Sequence, residues 1–128
     1  MKNEQMINNV LDTNNASNGT VEISNATFTK VHEFTLGKGK WLVIFNCPFA
    51  PNATGRRILQ VNTTGTTPTG IGGRDQYVSY SAVDGSYAHT QLIRAFNFSS
   101  ETTVYMYAYQ NSGGALNTYP QHIALKLE

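Results

Sequence analysis

The stretch from Tyr105 to Leu116, YMYAYQNSGGAL, decides how this chain folds. Successive residues of a strand alternate between its two faces, so Tyr105, Tyr107 and Tyr109 point one way while Val104, Met106 and Ala108 point the other. A strand in a single antiparallel sandwich needs only one apolar face. The tyrosine face therefore calls for a second layer, and in so short a chain the expected layer is another copy of the same chain. Assembly rather than catalysis is the first expectation.

At 128 residues the chain is one domain by length and can bury a core without staples. Only 13% of residues are charged, and Asn, Thr and Ser outnumber them about two to one. The surface is thus expected to be uncharged and hydrogen-bonding, which suits sugars and polymers. A net charge of +1 with no basic run beyond Arg56 and Arg57 argues against nucleic acid. The longest apolar run, Trp41 to Phe45, is far short of a bilayer span, so no membrane partner is expected. The opening MKNEQMINNVLD lacks the apolar centre of a signal peptide.

Cys47 is the only cysteine, which excludes an intrachain disulfide and a thiolate metal cluster. It continues the series Trp41, Val43, Phe45, Cys47, Phe49, and is expected to be a buried, inert thiol. Six Asn-x-Ser/Thr sequons begin at Asn15, Asn18, Asn25, Asn52, Asn62 and Asn97; in so Asn- and Thr-rich a chain they read as chance and unglycosylated.

Residues 3–12 offer the one helical pattern, with Met6 and Val10, and Ile7 and Leu11, as i, i+4 pairs, ended by TNNASNG. The first 17 residues read as a helical or extended stalk-end segment, or equally a frayed terminus; residues 18–128 read as the head domain. From Thr20 onward the pattern is strands between Gly, Asn, Ser and Thr. They are expected near 20–24, 27–36, 40–49, 55–62, 75–83, 88–98, 102–110 and 121–127. Eight short strands with no helical period indicate an all-β antiparallel sandwich. The polar NTTGTTPTGIGG from Asn62 to Gly73 is expected to be an exposed loop.

Leu42 and Ile44 make the second face of the Trp41 strand apolar, so that strand is expected to be buried on both sides. Strand 55–62 sets Leu59 and Val61 against Arg56, Ile58, Gln60 and Asn62, the mixed character of a wet subunit interface. In the last strand, Ile123, Leu125 and Leu127 are expected inward, with His122, Ala124 and Lys126 elsewhere.

GKGKWLVIF at Gly37 to Phe45, FAPNATGRRILQVN at Phe49 to Asn62, YMYAYQNSGGALN at Tyr105 to Asn117 and the closing HIALKLE resemble one family. It is the jelly-roll superfamily of the first complement component's globular head and tumour necrosis factor, in the versions at phage tail-fibre and baseplate tips and on bacterial surfaces. The resemblance covers roughly residues 20–127 and implies a homotrimer with one sheet of each subunit around a threefold axis, its interface including Tyr105, Tyr107 and Tyr109. SSETT at Ser99 to Thr103 departs from the family's Gly-Asp turn. No receptor-contact motif carries over.

No serine elbow, carboxylate pair or phosphate-cradling glycine loop is present, so no enzyme activity and no cofactor is expected. GIGGR at Gly70 to Arg74 follows no strand and opens no helix, failing the context a nucleotide loop requires. His32, His89 and His122 lack metal-ligand spacing and read as solvent-facing strand histidines, leaving no metal site within one chain. Asp75 and Asp84 sit at loop edges, where Asp makes turn hydrogen bonds. The binding candidates are Arg74, Asp75, Tyr77, Asp84, Tyr87 and His89, aromatic and ionic groups beside two loops, as sugar sites require. The expected protein is a trimeric jelly-roll head of a phage tail fibre or baseplate. It sits on an upstream fibre or baseplate protein and binds a bacterial surface glycan or wall polymer. Its location would be the virion or the extracellular bacterial surface, with a structural trimerisation cap or a spore or cell-surface adhesin as the alternatives.

Overall fold

The computed structural model describes residues 10–70, 76–79 and 85–128, with 76–79 described by backbone alone. The described residues contain ten strands and no helix: β1 (Asp12–Ser17), β2 (Val21–Ile23), β3 (Thr29–Leu36), β4 (Gly39–Phe49), β5 (Arg57–Asn62), β6 (Gln76–Ser79), β7 (Ala88–Phe98), β8 (Thr102–Gln110), β9 (Leu116–Thr118) and β10 (Gln121–Lys126). All pairings are antiparallel. One sheet runs β1-β10-β4-β9-β2 with β7 on the other side of β4; the second runs β3-β8-β5-β6. The fold is a jelly-roll sandwich.

Alternation builds the layer between the sheets. Trp41, Val43, Phe45, Cys47 and Phe49 from β4 are 4% exposed or less, as are Leu59 and Val61 from β5 and Val104, Met106 and Ala108 from β8. Each large side chain buried here stabilises the fold by about 1.5–3 kcal/mol. In β3 the register shifts between Lys30 and His32, and this bulge turns both Val31 and His32 inward.

The eight expected strands are all present. Two more, β1 and β9, carry no apolar alternation: DTNNAS is polar apart from Ala16 and LNT has three residues. β1 exists because its backbone completes a six-residue ladder with the outer edge of β10. Thus residues 12–17 of the expected stalk-end segment are extended and paired with the head. The expected helix over residues 3–12 lies outside the described residues except for Val10 to Asp12, which are not helical.

Two face assignments are corrected. In β10, His122 and Ala124 point inward at 1% and 0% exposure, while Ile123 and Leu127 are 46% and 43% exposed. The cause is the register with β4: Ala124 lies opposite core-facing Val43 and His122 opposite Phe45, leaving Ile123 opposite the outward Ile44. In β4, Leu42 and Ile44 are only half-buried, so the second face of that strand has no complete cover within one chain.

Candidate functional site

Four places on the sandwich carry side chains that the core alone does not explain. The first is the tyrosine face. Tyr105, Tyr107 and Tyr109 do project from the outer face of β8, opposite the core residues. Their cover comes largely from the chain itself: Phe28 and Ile58 join them in a second cluster, and the Phe28 and Tyr109 rings lie 4.9 Å apart. The loop after β5 closes over the same face. Asn62 holds its turn by accepting from the Gly65 amide at 3.1 Å and donating to the Thr66 carbonyl at 2.8 Å. Gly65 then rests on the Tyr105 ring, with φ +76, a conformation that favours glycine. Tyr107 is 1% exposed in the single chain, and burial raises the pKa of its hydroxyl. Thr63 to Thr67 are exposed, as the sequence implies, yet the loop has a packing role.

The second place is the outer face of β10, β4 and β7. Register places Ile123, Ile44 and Ile93 side by side in one row, and Leu125, Leu42 and Ala95 in the next. Ile93 is 52% exposed and Ile123 46%. The adjoining row, Gln121, Asn46 and Gln91, is polar but uncharged. The contiguous apolar face is therefore aliphatic and lies on the sheet opposite the tyrosines. Sequence alternation showed Leu42 and Ile44, but the misassigned face of β10 hid the rest.

The third place is the end of the domain where β4 finishes and β7 begins. Tyr87, 53% exposed, meets Tyr119 edge to face at 5.5 Å. His89 is exposed two residues along, opposite Pro48. Asp12 lies at the far end of the sheet, in register with Lys126 and Trp41 near the start of β4, about 30 Å away at the usual rise per strand residue. Of the other binding candidates, Arg74, Asp75 and Asp84 lie outside the described residues. Tyr77 is placed by its backbone on β6 opposite Leu59.

The fourth place is between the sheets. His32 and His122 are buried rather than solvent-facing, at 8% and 1% exposure, which corrects the reading of both; His89 alone is exposed. His32 Nε2 and His122 Nδ1 are 2.8 Å apart, and His122 Nε2 lies 2.7 Å from Asn14 Oδ1. Phe34 stacks flat on His122 with centroids 3.5 Å apart. Burial lowers the pKa of His122 to about 4, with the charge of His32 adding to the effect, and burial also lowers that of His32. No group of three or more His, Cys, Asp or Glu that could hold a metal occurs among the described residues. Cys47 is fully buried, and burial pushes its thiol up to about 12.

No family model matches the chain, and no curated protein matches it. Solved structures do. A chain of infectious bursal disease virus, Gx strain, superposes with a TM-score of 0.61 at 6% identity, over 91% of this chain and 32% of that one. The VP2 subviral particle of infectious bursal disease virus gives a TM-score of 0.57 at 6% identity, over 91% and 33%. PRD1 vertex protein P5 gives 0.52 at 14% identity, over 93% of this chain and 99% of that one. This chain spans about a third of the length of the bursal disease virus chains. At these identities the likeness is one of fold, and it places the chain among jelly rolls.

Proposed function

We propose that this chain is the self-associating jelly-roll head of a surface particle or appendage. Three copies meet through the aliphatic face of β10, β4 and β7, and the assembled head engages a bacterial surface glycan or wall polymer. The phage tail fibre or baseplate is the setting the sequence resemblance favours, and PRD1 vertex protein P5, of nearly the same length, is a particle protein with this fold.

The observation that carries the reading is the open aliphatic face. Ile93 and Ile123, exposed in a single chain, flank the half-buried Ile44 in one row, and together they favour burial against an apolar partner. On one side the row of Asn46, Gln91 and Gln121 carries no charge and can exchange amide hydrogen bonds between copies; on the other, the Lys40 ammonium is paired with Glu128 at 2.7 Å. The tyrosine face has less to offer, because Tyr107 is already buried and has little surface left to give. For recognition, Tyr87 and His89 remain the described candidates, at the end remote from Asp12; three such ends on one head would add avidity to weak contacts.

Light scattering at micromolar concentration tests the assembly: a mass three times 14.1 kDa is expected, and a monomer overturns it. Fluorescent protein applied to bacterial cells and a glycan array tests the recognition. Retention on neither would leave a structural cap in its place.

A further inference from the structure

We propose that His32, His122 and Asn14 form an acid-operated latch that holds β1 on the sandwich, so that acidification releases this strand while the rest of the jelly roll stays folded.

The chain of hydrogen bonds has one direction. Asn14 Oδ1 can only accept, so His122 Nε2 carries the hydrogen; His122 Nδ1 is then the acceptor, and His32 Nε2 donates to it. The Asn14 orientation is the one this network satisfies. Three strands from both sheets are joined: β3 through His32, β10 through His122 and β1 through Asn14.

β1 has little besides this link and its backbone ladder to hold it. It pairs with β10 alone, and of its six residues only Asn14 is even half-buried. Detaching β1 exposes no apolar core residue of its own, whereas detaching β3 or β10 would open the core. The cheapest opening that hydrates His122 is therefore the release of β1.

Protons act on this arrangement in two steps. The first can enter at His32 Nδ1, which leaves His32 Nε2 donating as before. The second, at His122 Nδ1, turns the acceptor into a donor facing another donor and sets two imidazolium rings in contact. The groups around the pair offer little compensation. On β3, Lys30 and Glu33 are paired with each other at 2.6 Å and exposed; Glu33 favours the His32 cation only weakly against burial. β8 presents Met106 opposite His32, with Tyr105 and Tyr107 opposite Glu33 and Lys30. β4 presents Phe45 opposite His122; β10 carries Lys126, over the Trp41 ring, and β1 carries Asp12 in register with Lys126. Neither imidazole is ion-paired with a carboxylate among the described residues.

The sign follows from linkage. With β1 in place the pKa of His122 is about 4, against about 6.5 for a hydrated histidine, so above pH 6.5 both states are neutral and the latch is closed. As pH falls from 6.5 towards 4, the open state takes up the proton first, and opening gains up to about tenfold per pH unit.

Amide hydrogen exchange on the full chain, corrected for the pH dependence of intrinsic exchange, reads this directly. Protection of residues 12–17 should fall at least tenfold between pH 7 and pH 4.5, while β4 and β8 keep theirs. Asn14→Asp gives the His122 cation a carboxylate and should retain β1 at pH 4.5; His122→Gln keeps a neutral hydrogen-bonding group and should make β1 protection the same at both pH values. The latch is overturned if β1 protection is unchanged on acidification, if β1, β4 and β8 lose protection together, or if Asn14→Asp releases β1 as the parent does. An equal acid loss in His122→Gln would also overturn it, assigning the effect to Asp12.

Discussion

Arg57 Nη2 donates to the backbone carbonyl of Asn52 at 2.9 Å, five residues back along its own chain. Nη1 donates to the carbonyls of Thr54 and Arg56 at 2.8 and 2.9 Å, so one guanidinium ties down the whole turn before β5. The residue is 0% exposed, on the same face as Leu59 and Val61, and burial lowers its pKa.

Arg57→Lys should therefore not be conservative. A single ammonium cannot span three carbonyls fixed for a planar fork, and each buried carbonyl left without a donor costs about 1–3 kcal/mol. We expect the unfolding free energy from urea titration to drop by about 2 kcal/mol or more, and further for Arg57→Ala, which adds a cavity. A variant with an unchanged urea midpoint would show that the turn does not depend on the fork.

Gly55 gives a paired test of backbone against packing. Its φ is +82, and a Cβ there would collide with the Asn111 carbonyl and Oδ1, the same Oδ1 that accepts from the Arg56 amide at 2.5 Å. Gly19 has φ +65 and nothing within 4 Å of its Cβ position. Gly19→Ala should cost about 1 kcal/mol, the ordinary left-handed penalty, and Gly55→Ala clearly more, because Asn111 must move as well. Equal shifts in the melting temperatures of the two variants would contradict the contact.

The strands were legible where an unbroken apolar face alternates along the chain between Gly, Asn, Ser and Thr: Trp41 to Phe49 in β4 and Val104 to Ala108 in β8 show it, whatever their second faces carry. β1 was not, because DTNNAS has no alternation and its place is set by the edge of β10. The inward face of β10 was misread because Ile123 and Leu125 are the larger aliphatics. Pairing with β4, which no alternation within β10 reveals, puts His122 and Ala124 inside. The buried histidines escaped for the same reason, together with the bulge at Lys30 to His32 that turns two successive residues inward. A neighbouring basic pair, Arg56 and Arg57, gave no sign that one member lies in the core. The Tyr87 and Tyr119 contact joins residues far apart in sequence, and only the tertiary fold brings them together.

Cys47 should resist labelling in the folded protein. Its thiol is 0% exposed and pushed up to about 12, chiefly by burial, so below that pH it remains both protonated and covered. Labelling by a thiol reagent at pH 8 should track global unfolding and accelerate with urea. Rapid labelling of the native state would show that the β4 register is wrong.

The two outer faces make opposite predictions, and this distinguishes the interface proposed here from one built on tyrosines. Tyr107 sits in a cluster with Phe28 and Ile58, so Tyr107→Ala removes packing that each subunit makes by itself, at a cost of about 3 kcal/mol. Ile93 is 52% exposed in the single chain, and Ile93→Glu should leave subunit folding nearly unchanged. In the assembly, however, it places a carboxylate beside Ile44 and near its symmetry mates, where it is both desolvated and faced by like charge. We expect Ile93→Glu to yield folded monomers by light scattering at micromolar concentration, with exchange protection of β8 intact, and Tyr107→Ala to yield a less stable chain whose folded fraction still assembles. The reverse result, assembly surviving Ile93→Glu and lost in folded Tyr107→Ala, would return the interface to the tyrosine face.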